Sequence, residues 1–168
     1  MTLQIAYVED NATNIALMER VVKMAQHSLT TYTEGEVALE ALQRERYDLI
    51  LMDIELAGEM NGLQLVSRLR AGGLTTPVIA VTAYAMLGDR EKCLAAGCND
   101  YLPKPLPIME VVALLNKYDA ITKASSEATA SSKGEGADSV DRVPESVVAV
   151  PAAAGIEREK VDQTVKTV

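Results

Sequence analysis

Tyr47-Asp48-Leu49-Ile50-Leu51-Met52-Asp53-Ile54 is the stretch whose reading decides how this chain folds. Leu49 to Met52 is a short, continuous apolar run, the pattern of a strand covered on both faces in a parallel sheet. The run stops at a carboxylate, Asp53. A strand that passes from apolar residues into one acid delivers that acid to the carboxyl edge of its sheet. Open α/β sheets bind ligands and do chemistry at that edge.

Working outward, Leu3 to Val8 reads as a first strand, ending in Glu9-Asp10-Asn11. Asn11 or Thr13 is placed to cap a helix from about Asn14 to Ala25, with Ile15, Met18, Val22 and Ala25 on one stripe. Ser28 to Tyr32 is a weaker strand, and Thr33-Glu34-Gly35 is a turn. Val37, Leu39, Ala41 and Leu42 belong to a second helix ending near Arg46. Beyond Asp53, Glu55 to Gly62 is a polar loop, and Leu63 to Leu69 is a third helix closed by Gly72-Gly73. Thr76-Pro77 leads into a strand over Val78 to Val81 that ends at Thr82-Ala83. A fourth helix spans about Leu87 to Ala96 and stops at Gly97. Asp100-Tyr101-Leu102 is a short fifth strand, followed by Pro103-Lys104-Pro105. Ile108 to Tyr118 is a fifth helix with Val111, Val112, Leu114 and Leu115 facing inward.

Strands alternating with helices predict the α/β class with a parallel sheet and right-handed crossovers. The expected architecture is a flavodoxin-like (βα)5 doubly wound sheet of strand order 2-1-3-4-5. Strands one and three then lie side by side at the switch point.

Composition sets the outer limits. A chain of 168 residues suits one domain with an appendage. There is no Trp and no Phe, so aliphatic side chains must fill the core. The formal net charge of −8 argues against non-specific binding to nucleic acid or anionic membranes and favours metal ions or basic partner surfaces. Cys93 and Cys98 have neither a disulfide framework nor a CxxC metal spacing, and read as small reduced core residues. Met18, Met24 and Met109 fall at helical spacing and read as core filler, and His27 as a solitary surface or loop residue. Met1-Thr2-Leu3-Gln4 has no signal-peptide pattern and no apolar run approaches a bilayer span, so a cytoplasmic location is expected. The expected organisation is a domain over 1–119 and a low-complexity, disordered tail over 120–168. The sharper reading of that tail is a docking peptide.

Five strand ends thus carry Glu9-Asp10, Asp53, Thr82, Tyr101 and Lys104 toward one edge. Clustered carboxylates repel one another without a cation. Mg²⁺ suits them, because it prefers carboxylate oxygens and keeps water and phosphate oxygens in its octahedron. A carboxylate beside Mg²⁺ is also a candidate nucleophile toward phosphorus. Lys104 supplies a positive point charge and Thr82 a hydroxyl donor.

Val8-Glu9-Asp10-Asn11, Leu51-Met52-Asp53-Ile54, Ala80-Val81-Thr82-Ala83 and Tyr101-Leu102-Pro103-Lys104-Pro105 together resemble the response-regulator receiver domains of bacterial two-component signalling. The resemblance spans about Leu3 to Tyr118. It is strongest toward stand-alone receivers typified by the cell-division regulator DivK, through Glu9-Asp10-Asn11, Thr82-Ala83-Tyr84-Ala85-Met86 and Gly88-Asp89. It implies that Asp53 accepts a phosphoryl group from a histidine kinase or phosphotransfer protein. Glu9, Asp10 and Asp53 would hold Mg²⁺, with the Glu55 backbone carbonyl as a further ligand. Lys104 would contact the phosphoryl oxygens, and Thr82 and Tyr101 would act as the switch. Output would pass through the surface of the fourth helix, fifth strand and fifth helix to an unidentified protein. Whether the active form is a homodimer stays open.

One departure is that Ala57-Gly58-Glu59-Met60-Asn61-Gly62 lacks the family's usual Pro and is one residue longer. Two other functions compete. One is a Mg²⁺-dependent phosphohydrolase with an aspartyl nucleophile, in which Glu55 stands where such enzymes carry a second Asp. The other is a receiver-like adaptor that works without phosphorylation. A flavin role is disfavoured, because the acidic, glycine-free Glu9-Asp10-Asn11-Ala12-Thr13 loop repels phosphate.

Overall fold

The computed structural model describes residues 2–83 and 87–131, with backbone only at 87–89 and 127–131. Ten elements alternate: β1 Gln4–Val8, α1 Ala12–Met24, β2 Ser28–Tyr32, α2 Gly35–Arg44, β3 Leu49–Asp53, α3 Gly62–Ala71, β4 Val78–Thr82, α4 Leu87–Ala96, β5 Asp100–Pro103 and α5 Ile108–Ser131. All five strands are parallel and their order is β2-β1-β3-β4-β5, as the sequence predicted.

The central strands are buried along their whole length, which is why β3 and β4 read as unbroken apolar runs. Alternate residues nonetheless serve opposite faces. Ile5, Tyr7, Leu49, Leu51, Ile79 and Val81 pack into one cluster with Met18 and Val22 of α1 and Val111 and Leu115 of α5. Ala6, Val8, Ile50, Met52, Val78 and Ala80 pack into the other, with Leu42 of α2, Leu65 and Leu69 of α3, and Cys93. Each fully buried aliphatic side chain stabilises the fold by about 1.5–3 kcal/mol. Both cysteines are buried and neither is in a disulfide, and burial, with Cys93 adding to it, pushes the Cys98 thiol up to about 12.

Helix ends follow local chemistry. Asn11 caps α1, its side chain accepting from the N–H groups of Thr13 and Asn14, which settles the choice between Asn11 and Thr13. Asn61 caps α3 in a reciprocal box with Gln64. Past the ends of α3 and α4, Gly73 and Gly97 carry positive φ. At Gly97 a Cβ would come within 2.7 Å of Arg70 Cγ. The Arg70 guanidinium donates to the carbonyls of Gly97, Leu74 and Thr76 and to Asn99 Oδ1, joining the ends of α3 and α4 to the starts of β4 and β5.

Two expectations need correction. Helix α5 does not stop at Tyr118 but runs to Ser131. Residues beyond Tyr118 include helix-favouring Ala, and an Asp119–Lys123 pair one turn apart supports the extension. Met24 and Met109 are not core filler, being 85% and 79% exposed; of the three methionines at helical spacing only Met18 is buried. Val37 is also exposed, because α2 turns Gly35, Ala38 and Leu42 inward. His27 lies in the loop before β2, in keeping with its surface-or-loop reading, half-buried and accepting from the Leu3 N–H through Nδ1. The tail over 132–168 and the Tyr84-Ala85-Met86 part of the loop after β4 lie outside the described residues.

The loop from β3 to α3 is held closely. Leu56 and Met60 are buried, and the Gly62 N–H donates to the Ile54 carbonyl at 3.2 Å. A Cβ on Gly62 would sit 2.0 Å from the backbone oxygen of Asp53, so the helix start can approach the strand end only as glycine. Gly62→Ala is expected to lower stability by about 3 kcal/mol through this backbone overlap, measured by urea unfolding.

Candidate functional site

The two-residue period of the strands determines what meets at the carboxyl edge. Strand β1 pairs with β3 with Tyr7 opposite Leu51 and Val8 opposite Met52. One residue further on, Glu9 and Asp53 emerge from neighbouring strand ends. One carboxylate oxygen each from Glu9, Asp10 and Asp53 lies within 4.8 Å of the others. Lys104 follows β5, whose Pro103 pairs with Thr82, and the Lys104 N–H donates to the Thr82 carbonyl at 2.7 Å. The Lys104–Pro105 bond is cis. From there the Lys104 side chain passes over the end of β4 to reach Asp53 Oδ2 at 2.7 Å and Glu9 Oε2 at 3.1 Å.

Glu9 is fully buried and Asp53 and Thr82 nearly so, whereas Asp10 is exposed. Glu9 takes bonds from Tyr7, Lys104, the Asn11 backbone and the Asn14 side chain. Tyr7 Oη donates to Oε2 at 2.7 Å, and the Asn11 N–H donates to Oε1 at 3.1 Å. Burial pushes the Glu9 carboxyl up, but the bonds from Tyr7, Lys104 and Asn11 outweigh it and hold the group below its ordinary range. Asp53 goes the other way. Its burial and the neighbouring charge of Glu9 prevail over the bonds from Lys104 and from the Glu55 N–H, so its carboxyl is raised. Lys104 is raised because its two carboxylate partners outweigh desolvation, and it stays an ammonium. Burial above all, with Glu9 adding to it, raises the Tyr7 phenol, so it remains a donor.

Three carboxylates around one ammonium leave two net negative charges, all on hard oxygen donors. That donor set fits a small divalent cation such as Mg²⁺, with Asp10 on the open side. The rest of the site is backbone. The Ala57 N–H donates to Asp10 Oδ2 at 3.0 Å, and the Ala83 N–H to Glu55 Oε2 at 3.3 Å. Glu55 is exposed, and Tyr101 is half-buried against the α2–α3 face of the sheet.

All of the acids foreseen at the edge are therefore together, with Lys104 among them and Thr82 beside them. Tyr7 was not foreseen. Its signal lay in the two-residue spacing from Glu9, which puts both side chains on one side of a strand.

Residues 5–116 match the family described as response regulator receiver domain, and the chain belongs to it. Among the relatives it resembles is the polar-differentiation response regulator DivK of Brucella ovis, 34% identical over 120 residues, covering 70% of this chain and 97% of that protein. Another is hybrid signal transduction histidine kinase G of Dictyostelium discoideum, 40% identical over 129 residues. That match covers 71% of this chain but only 4% of the much longer kinase. Among solved structures, it resembles the receiver domain of a sensor histidine kinase from Pseudomonas aeruginosa PAO1. The TM-score is 0.64 and the identity 38%, covering 70% of this chain and 98% of that one, and that crystal has a magnesium ion coordinated in its active site cleft.

The raised Asp53 carboxyl carries a stability cost. A group raised in the folded state contributes stability that is present below its unfolded pKa and lost as pH rises through the folded one. At neutral pH the buried charge is thus unfavourable, and a bound cation would offset it. At a Mg²⁺ concentration about a hundredfold above its dissociation constant, unfolding free energy should rise by about 2.7 kcal/mol. Asp10→Asn should abolish most of that rise, as read by urea unfolding with and without Mg²⁺.

Proposed function

We propose that Asp53 is a phosphoacceptor in a Mg²⁺-dependent transfer from the phosphohistidine of a sensor kinase or phosphotransfer protein. The observation that carries this reading is the 2.7 Å contact of Lys104 Nζ with Asp53 Oδ2 inside a three-carboxylate cluster. A carboxylate oxygen of Asp53 attacks phosphorus, the bond to the donor nitrogen breaks, and the phosphoryl group ends on Asp53 as an acyl phosphate. Glu9, Asp10, Asp53 and the Glu55 carbonyl hold Mg²⁺, which supplies charge neutralisation at the phosphoryl oxygens when bound. Lys104 follows the charge as it moves from the carboxylate to the new phosphoryl oxygens. The magnesium-bearing cleft of the Pseudomonas receiver supports the cation assignment.

Thr82 and Tyr101 are the switch pair. Thr82 stands at the end of the strand beside Asp53, and Ala80, two residues earlier, pairs with Tyr101. A phosphoryl group on Asp53 offers Thr82 a new acceptor. That biases the α4-β5-α5 surface toward one of two states, for output to a partner protein. In this reading the signalling module expected over 1–119 continues through α5 to Ser131, and the residues after it are an appended tail.

The phosphohydrolase alternative asks Glu55 to act as acid or base on the phosphoryl ester. Its exposed side chain instead engages the Ala83 N–H. Acetyl phosphate with Mg²⁺ is expected to add one phosphoryl mass to the chain. The addition should be absent in Asp53→Asn or when the metal is chelated, and there should be no sustained turnover of small phosphoesters. Mass spectrometry of the intact protein and a colorimetric phosphatase assay decide. Labelling that survives Asp53→Asn overturns the acceptor assignment, and steady turnover favours the hydrolase.

A further inference from the structure

The Tyr7 hydroxyl takes no part in the chemistry above, yet it makes one of the shortest polar contacts in the site. Tyr7 is fully buried in the middle of β1, and its ring packs in the α1–α5 face cluster. Packing explains the ring. It does not explain the oxygen, because a buried hydroxyl must find an acceptor or cost stability. The acceptor here is Glu9 Oε2, at 2.7 Å.

That same oxygen takes a longer bond, 3.1 Å, from Lys104 Nζ, while Asp53 Oδ2 holds the ammonium at 2.7 Å. Two buried carboxylates therefore compete for one lysine, and the phenol stands on one side of the competition. Glu9 Oε1 already accepts from the Asn11 N–H. With no solvent exposure, Glu9 has no water to replace a lost donor. Removing the phenol leaves Lys104, at 3.1 Å, as the charged donor on Oε2, with the neutral Asn14 side chain and the Asn11 N–H as the other partners of Glu9.

We infer that Tyr7 is a positioning residue whose hydroxyl satisfies Glu9 and so leaves Lys104 on Asp53, where the phosphoryl oxygens arrive. Tyr7 touches neither the phosphoryl group nor its donor, and acts only through Glu9. The inference rests on the phosphoacceptor reading of Asp53, and its effect belongs to the rate of transfer rather than to cation affinity.

Tyr7→Phe removes the oxygen and keeps the ring. In the full chain, at saturating Mg²⁺, the rate of Asp53 phosphorylation by acetyl phosphate should fall by about tenfold. Raising Mg²⁺ further should not restore it. In a Glu9→Gln background, where the neutral amide no longer competes for the ammonium, the same substitution should change the rate less than twofold. A general loss of packing would lower the rate equally in both backgrounds, so the double-mutant cycle separates the two roles. A crystal structure of the Tyr7→Phe variant should place Lys104 Nζ nearer Glu9 than Asp53.

A Tyr7→Phe rate within twofold of the unaltered chain overturns the inference, as does an equal loss with and without Glu9. Lys104 staying on Asp53 in the variant crystal also overturns it. If the unaltered chain takes no phosphoryl group at Asp53, the functional reading fails first and this inference goes with it.

Discussion

One ammonium shared between two buried carboxylates is the constraint on which the site depends. Lys104 is the cation within 3.1 Å of both Glu9 and Asp53, and neither acid has water around it to take over. Taking one partner out of such a buried set costs about 3–5 kcal/mol, because the remaining charge is left uncompensated. Yet the set is incomplete as it stands, since with exposed Asp10 the negative charges outnumber the positive. The imbalance is what makes the edge receptive to a divalent ion. It also gives Asp53 a raised carboxyl while Glu9, a neighbour with better-placed donors, is lowered. Each acid has a backbone N–H and a share of Lys104; they differ because Glu9 also has the Tyr7 phenol and the Asn14 side chain, whereas Asp53 faces the charge of Glu9 with no such addition.

The scaffold enforces this geometry through strand register rather than through the site residues themselves. Glu9, Asp53 and Lys104 come from β1, β3 and β5, and β4 lies between the last two. Lys104 therefore acts as a strut across three strand ends, anchored at its base by the Thr82 carbonyl. Gly62 closes the approach from the other side by letting α3 begin against the Asp53 backbone. A phosphoryl-sized addition at Asp53 has to be taken up by the strut, by Thr82 or by the β3–α3 loop.

Most of this was legible in the sequence, for identifiable reasons. The β3 and β4 runs are apolar throughout because both faces are covered, and the acids punctuate them where the sheet ends. That pattern gave the edge and the convergence of Glu9, Asp10, Asp53 and Lys104; the strand order, which spacing alone does not fix, was expected from the alternation of strands and helices and holds. What stayed hidden depended on tertiary contacts that no period encodes. Met24 and Met109 sit at helical spacing, but whether a partner covers them is a matter of packing, and they lie open. The continuation of α5 past Tyr118 rests on Ala-rich propensity, a weak signal that reads equally well as linker. Tyr7 was legible as a strand residue; its hydroxyl mattered only once Glu9 was known to be sealed from water.

The Arg70 clamp bears on how a signal leaves the site. Its guanidinium grips the carbonyl just past α4, the β4 approach and Asn99 before β5, all on the side of the sheet away from Asp53. These bonds anchor the chain at the tail of α4 and oppose its sliding as a body. If Asp53 takes a phosphoryl group as proposed, a displacement reaching α4 from that edge would turn the helix about this anchor, most at the end farthest from it. The partner-facing surface would then be read as an angle rather than as a shift.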